Sequence, residues 1–102
     1  MTKYSFHPDA LVEYEDATRY YLEQASPIVA AAFIAAVESA VQAVLASPMM
    51  WRVIDEPGVR RYLLGRFPYA LYYRWDHALD RVSIYAVMHL RRRPGYWKYR
   101  LA

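Results

Sequence analysis

Residues 59–76 read VRRYLLGRFPYALYYRWD, two short runs of aromatic and aliphatic side chains with arginines threaded through them and a Gly65-Arg66-Phe67-Pro68 break between. The residue types and the Gly-containing break predict two strands joined by a tight turn. In the second run Tyr69, Leu71, Tyr73 and Trp75 share one face, and Ala70, Tyr72 and Arg74 the other. Arginine is costly inside a sheet. Arg60, Arg61, Arg66 and Arg74 therefore either point outward as solubilising charge or line a face that meets something negative.

Residues 81–89 (RVSIYAVMH) continue the pattern, with Val82, Ile84, Ala86 and Met88 on one side and Ser83, Tyr85, Val87 and His89 on the other. Three strands are expected: Val59 to Leu64, Tyr69 to Trp75 and Arg81 to His89. The links at 65–68 and 76–80 are too short for anything but antiparallel pairing. With the bulkier apolar sets turned inward, Tyr72, Arg74, Tyr85 and His89 line an open surface, joined by Arg60 or Arg61 according to register.

Upstream, KYSFH (3–7) alternates as a short first strand. His7-Pro8-Asp9 then offers a helix start, with Asp9 or His7 as N-cap and acidic residues in the early turns suiting the helix dipole. Leu11, Tyr14, Thr18, Tyr21, Leu22 and Ala25 recur at helical spacing, with Glu13, Asp16 and Glu23 on the other side, to about Gln24. Ser26-Pro27 restarts the chain as N-cap and first helical residue. The second helix buries Phe33, Val37, Ala40, Val41, Val44 and Leu45, and its remaining sides are also apolar or small, so it must be covered on more than one side. The short link makes an antiparallel hairpin. Ser47-Pro48 ends it, and MMWRVIDEPG (49–58) reads as a loop. The order is β-α-α-β-β-β, an α+β domain with a helical hairpin packed on one face of a small, mainly antiparallel sheet.

A chain of 102 residues is one domain, with residues 90–102 as a basic, aromatic tail. Apolar residues make up 57%, which excludes disorder, and the absence of cysteine excludes disulfides and thiolate metal sites. The N-terminus lacks the apolar core of a secretory signal, so a cytoplasmic protein is expected. Residues 28–46 are apolar enough to suggest a membrane span. Glu38, Ser39 and Gln42 near their centre favour a buried helix instead, and no membrane association is expected. Net charge is +3, but residues 1–48 hold two basic and six acidic residues while residues 49–102 hold eleven basic and four acidic. Such asymmetry within one domain is the footprint of an anionic partner.

The tail, HLRRRPGYWKYRLA (89–102), interleaves Arg91, Arg92, Arg93, Lys98 and Arg100 with Tyr96, Trp97 and Tyr99. Basic and aromatic residues together suit both protein interfaces and nucleic acid. Pro94-Gly95 and uncompensated charge predict a tail less ordered than the sheet, with Tyr96 and Trp97 free for contacts and its removal leaving the fold intact. Trp51, Trp75 and most tyrosines read as core, with Trp97 the exception. Arg60 and Arg61 can also be read as partners of Asp55, Glu56 or Asp80. His7, His77 and His89 have no metal-ligand spacing, so neither metal nor other cofactor is expected.

The order of elements, together with GVRRYLLGRFPYALYYRW, IYAVMH and the closing RRRPGYW, resembles the RelE/ParE superfamily of type II toxin-antitoxin toxins over essentially the whole chain. The resemblance implies a small growth-arresting α+β toxin, a role in plasmid stabilisation, and a cognate antitoxin that wraps it. It also implies contact with operator DNA only as the toxin-antitoxin complex. Two activities are implied by the two branches. A RelE-like toxin is a metal-independent endoribonuclease that cuts mRNA on the translating ribosome. A ParE-like toxin binds and poisons DNA gyrase.

Matched residue by residue, the ribonuclease branch would use His89, Arg61 and Arg74 as its catalytic set. His89 falls where some members carry a catalytic histidine, and Arg60 or Arg61 matches basic residues of the second strand. Where that branch tends to carry a phosphate-gripping arginine in a YRV-type motif, this chain has Tyr69-Ala70-Leu71, and the balance tips towards the gyrase-binding branch. His89 also fits a structural hydrogen-bonding role. In either case Arg60, Arg61, Tyr72, Arg74, Tyr85, Arg92, Arg93, Tyr96 and Trp97 are the expected contacts to target or antitoxin. A module that retains only antitoxin and operator binding is the remaining possibility.

Overall fold

The computed structural model describes residues 2–55, 58–92 and 95–101. Strand β1 (Lys3–Phe6) leads into helices α1 (Pro8–Gln24) and α2 (Pro27–Ala46). Strands β2 (Val53–Asp55), β3 (Val59–Leu63), β4 (Tyr69–Asp76) and β5 (Arg81–His89) follow, and a 3₁₀ turn (Lys98–Leu101) closes the chain. The strands form one sheet in the order β1-β5-β4-β3-β2, with β1 parallel to β5 and all other neighbours antiparallel. Both helix starts use local side-chain caps. His7 Nδ1 accepts from the Asp9 N–H at 3.1 Å, and Ser26 Oγ from the Val29 N–H at 3.1 Å.

The helical hairpin covers one face of the sheet. Phe33, Val37, Ala40, Val41 and Val44 of α2 pack with Leu71, Tyr73, Val82, Ile84 and Val87. By length and composition α2 could cross a membrane; here this stripe of it is buried under the sheet. Helix α1 is rotated from the expected orientation: Ala10 and Ala17 are buried, whereas Leu11 and Leu22 face outward. The closest approach of a helix is made over its smallest side chains, so the buried stripe follows the alanines rather than the leucines.

Three further expectations are corrected. The segment 49–58 is not all loop, because Val53–Asp55 adds an edge strand, its β-branched pair Val53-Ile54 being well suited to the sheet. Strand β5 does not alternate throughout. Tyr72 pairs with Ala86 and Tyr73 with Ile84, leaving Tyr85 as the extra residue of a β-bulge. The bulge reverses the phase, so Val82, Ile84 and Val87 face the helices while Ala86 and Met88 face away. His89 consequently leaves the face that holds Tyr72 and Arg74.

The second face is not open either. Val59, Ala70, Tyr72, Ala86 and Met88 form a second apolar layer closed by Trp97, which is 2% exposed and meets Tyr72 edge-on at 5.1 Å between ring centroids. The tail folds back because it carries one large apolar side chain that fits this layer and an arginine that reaches a buried carboxylate.

Candidate functional site

The strand register sorts the arginines. Arg60 pairs with Tyr73 and Arg61 with Tyr72, so Arg60 lies on the helix side and Arg61 on the far side, since directly opposed residues share a face. Arg60 Nη1 donates to the carbonyls of Met49 (3.0 Å) and Trp51 (2.6 Å), and the Tyr73 hydroxyl donates to the Pro48 carbonyl at 2.7 Å. These two neighbours clamp the link after α2. Burial pushes the Tyr73 phenol up to about 12, only partly opposed by Arg60. Arg60 is thereby a structural residue of the helix-side layer.

Arg61 and Arg74 remain on the far face. Arg74 lies over the Tyr85 ring at 5.7 Å, and among the described residues neither guanidinium has an anionic partner. Asp80 is occupied by Trp75 Nε1 and the Thr2 hydroxyl, whose hydrogen bonds hold its carboxyl below the usual range. Asp55 is paired with Lys98 at 2.9 Å, and Glu56 lies outside the described residues. Shallow clefts of 520 and 490 Å³ at the sheet's edge flank Arg74 and share Trp75 and His77; the first is also lined by Met49 and Arg60, the second by Ser83 and Tyr85. Tyr72 and Tyr85 belong to this face but are buried, the Tyr85 ring lying beneath Arg74.

His89 stands elsewhere. It pairs with Tyr69 on the helix side, with ring centroids 5.0 Å apart, and its Nδ1 accepts from the Arg91 N–H at 3.1 Å. It lines a 240 Å³ cleft with Glu13, Asp16, Tyr20, Arg92 and Tyr96. Tyr69 and Arg74 are five residues apart on β4, so His89 and Arg74 are separated by ~17 Å along the sheet as well as by its thickness.

The strongest polar constellation was not legible from the sequence. Glu13, expected on the solvent side of α1, accepts from Arg100 Nη1 (2.9 Å) and Nη2 (3.2 Å), from the Val87 N–H (3.1 Å) and from the Tyr96 hydroxyl. Arg100 Nη1 also donates to the Tyr85 carbonyl at 2.9 Å. The carboxylate and guanidinium are 14% and 5% exposed. Strand β1 pairs with β5 only as far as Ile84, and the Glu13–Arg100 pair takes up backbone groups of β5 just beyond it, at the bulge. Burial, reinforced by Glu13, pushes the Tyr96 phenol up; burial opposes the charge on Arg100, but hydrogen bonds to Glu13 and Tyr99 outweigh it and raise its pKa. One signal was available in α1: Ala10, Glu13 and Ala17 are spaced i, i+3, i+7 along the buried stripe.

The tail residues therefore differ in role. Trp97 is core, Tyr96 is half-buried on Glu13, and Arg92 is exposed with its guanidinium 4.1 Å from the Tyr96 ring. Arg93 lies outside the described residues.

A family model described as the ParE toxin of type II toxin-antitoxin system, parDE, matches residues 4–94. The chain belongs to the ParE toxin family. Among solved structures, a chain of the chromosomal ParDE TA system from P. aeruginosa superposes with a TM-score of 0.73 at 19% identity, covering 87% of this chain and 96% of that one. That likeness shares the α+β fold. No curated protein matches. The ParE match ends at residue 94, so Tyr96 and Trp97 of the second layer, and Arg100 bound to Glu13, follow the matched span.

Proposed function

We propose that this ParE-family toxin arrests growth by binding DNA gyrase, and that a cognate acidic antitoxin holds it inactive. The observation that carries this reading is the separation of the candidate catalytic groups. Cleavage at a 2′-hydroxyl needs a proton-transfer group and cations around one phosphate. His89 lies on one face, Arg61 and Arg74 on the other, ~17 Å away for Arg74. Ala70, at the place where the ribonuclease branch tends to carry an arginine, is fully buried beneath the tail. Arg61 and Arg74, without an anionic partner among the described residues, and the clefts beside Arg74 instead suit recognition of acidic side chains on antitoxin or target. Operator DNA is met only by the toxin-antitoxin complex.

The ribonuclease reading draws on one arrangement, the cleft that brings His89 and Arg92 together with Glu13. The two are separated by His89→Gln, which keeps size and hydrogen bonding but removes the titrating group. Loss of a general acid or base costs roughly a hundredfold or more, whereas a gyrase binder is indifferent to it. Growth arrest, supercoiling by purified gyrase and mRNA cleavage on translating ribosomes are measured for both proteins. We expect arrest to survive, supercoiling to be inhibited and mRNA to stay intact. Codon-positioned cuts that vanish in His89→Gln would install the ribonuclease, and a wild-type chain that binds antitoxin without arresting growth would leave only a binding module.

A further inference from the structure

The 520 Å³ cleft at the sheet's edge is lined by Met49, Gly58, Arg60, Arg74, Trp75 and His77, two cations and an aromatic wall with no acid among them. It forms where β4 outruns its neighbour: β3 pairs with β4 only as far as Arg60 opposite Tyr73, whereas β4 continues beside β5 to Asp76. Arg60 is fixed by its bonds to the Met49 and Trp51 carbonyls, and Trp75 by its Nε1 bond to Asp80, which holds both walls in place. Among the described residues neither Arg60 nor Arg74 has a carboxylate within ion-pair distance. Met49 on the rim is 64% exposed and Met50 beside it 71%, large apolar side chains left in water next to unneutralised charge. Tryptophan, arginine and methionine are the residues that interfaces favour over ordinary surface.

We propose that this cleft anchors the toxin on gyrase by taking an acidic side chain beside an apolar one from the enzyme's surface. The apolar group packs between Met49 and Trp75, and the carboxylate meets Arg74 and Arg60. This rests on gyrase being the target and names the patch that grips it. Charge selects an acidic partner, and geometry separates it from the antitoxin. Arg61 and Arg74 are diagonal neighbours on the far face, since Arg61 pairs with Tyr72 and Arg74 follows two residues on. An antitoxin segment that holds both cations lies across that face, whereas Met49 and Arg60 stand on the helix side. Arg74 borders both, lining the far-side cleft with Ser83 and Tyr85 as well. An antitoxin carboxylate on Arg74 neutralises the cation that the gyrase anchor needs, so the two partners exclude each other at this residue.

Met49→Glu tests this, because it sets a like charge where the carboxylate binds while altering only an exposed side chain. The toxin concentration for half-inhibition of supercoiling by purified gyrase, and antitoxin affinity by calorimetric titration, are measured for wild type, Met49→Glu, Met49→Lys and Arg74→Glu. Met49→Glu is expected to need at least about tenfold more toxin against gyrase while binding antitoxin within about threefold of wild type. Met49→Lys loses the same thioether but adds positive charge, and is expected to weaken gyrase inhibition by only about threefold. Arg74→Glu should weaken both partners. The Met49 variants change an exposed position, so their melting temperatures should stay within a few degrees of wild type. Met49→Glu inhibiting gyrase as well as wild type, or Met49→Lys failing as badly as Met49→Glu, would overturn the proposal. So would an equal loss of antitoxin affinity in Met49→Glu, which would make the antitoxin the occupant of the cleft. A wild-type chain that leaves supercoiling untouched is a different failure, removing gyrase as the target and this anchor with it.

Discussion

Arg100→Met tests whether the tail is a structural part of this toxin. The substitution keeps an unbranched apolar stem but removes two hydrogen bonds to Glu13, one to the Tyr85 carbonyl and one to the Tyr99 hydroxyl, together with the longer ion pair to Asp9 and the guanidinium's contacts with the Tyr96 and Tyr99 rings. Glu13 would be left as a largely buried carboxylate with only the Val87 N–H and the Tyr96 hydroxyl as donors. Breaking one side of a buried ion pair costs about 3–5 kcal/mol, a large share of the roughly 5–15 kcal/mol that holds a domain of this size. Since 1 kcal/mol corresponds to roughly 4–8 °C for a domain of 60–100 residues, the melting temperature should fall by at least about 12 °C. Glu13→Gln, which keeps an acceptor for Val87 while stranding the guanidinium, should cost about as much. The double variant should cost well under the sum, with a coupling of ~1–3 kcal/mol, because either single change already breaks the pair. Urea and thermal unfolding of the four proteins, followed by circular dichroism, gives every value. Single costs below about 1 kcal/mol that simply add would refute the reasoning and return the tail to the disordered appendage its composition suggests.

Three further outcomes follow from the same contacts. Trp97→Ala, removing a 2%-exposed side chain from the second layer, should destabilise by about 3–5 kcal/mol and expose apolar surface to a fluorescent dye. Tyr73 ionises near 10 when unfolded and near 12 in the fold, so the unfolded chain releases its proton first and stability must fall as pH rises from about 10 to 12. Tyr73→Phe should flatten that decline by up to one proton, seen as a shallower dependence of the urea midpoint on pH, while costing about 1 kcal/mol at neutral pH for the lost bond to Pro48. Arg61→Glu and Arg74→Glu should leave melting within about 2 °C, because neither guanidinium is paired in the described structure, yet weaken antitoxin binding in a salt-dependent manner in calorimetric titrations. Unchanged affinity would remove the far face from the partner interface.

Much of the architecture was legible because its signals are local. His7 and Ser26 cap helices through residues two and three positions away, Pro27 and Pro48 punctuate α2, and the Gly65–Pro68 break and the residues before Asp80 turn one strand into the next. The apolar repeat of α2 named the buried Phe33, Val37, Ala40, Val41 and Val44 correctly, since a helix apolar nearly all round has few ways to be wrong. The RelE/ParE resemblance likewise rested on contiguous runs, and the family match bears it out.

The candidate site was decided by contacts between residues far apart in the chain. One extra residue at Tyr85 reverses which side of β5 faces the helices, and nothing in RVSIYAVMH announces it, because a bulge is a property of two strands paired rather than of either alone. That single displacement carries His89 away from Arg61 and Arg74. The choice between Arg60 and Arg61 waited on the register of β3 against β4. Glu13 and Arg100, 87 positions apart, look like two surface charges until the fold brings them together where β1 stops short of β5. Composition and periodicity determined that this chain would lay two helices on a small basic sheet; only the pairing of distant segments decided which of its charges are spent inside and which are left for a partner.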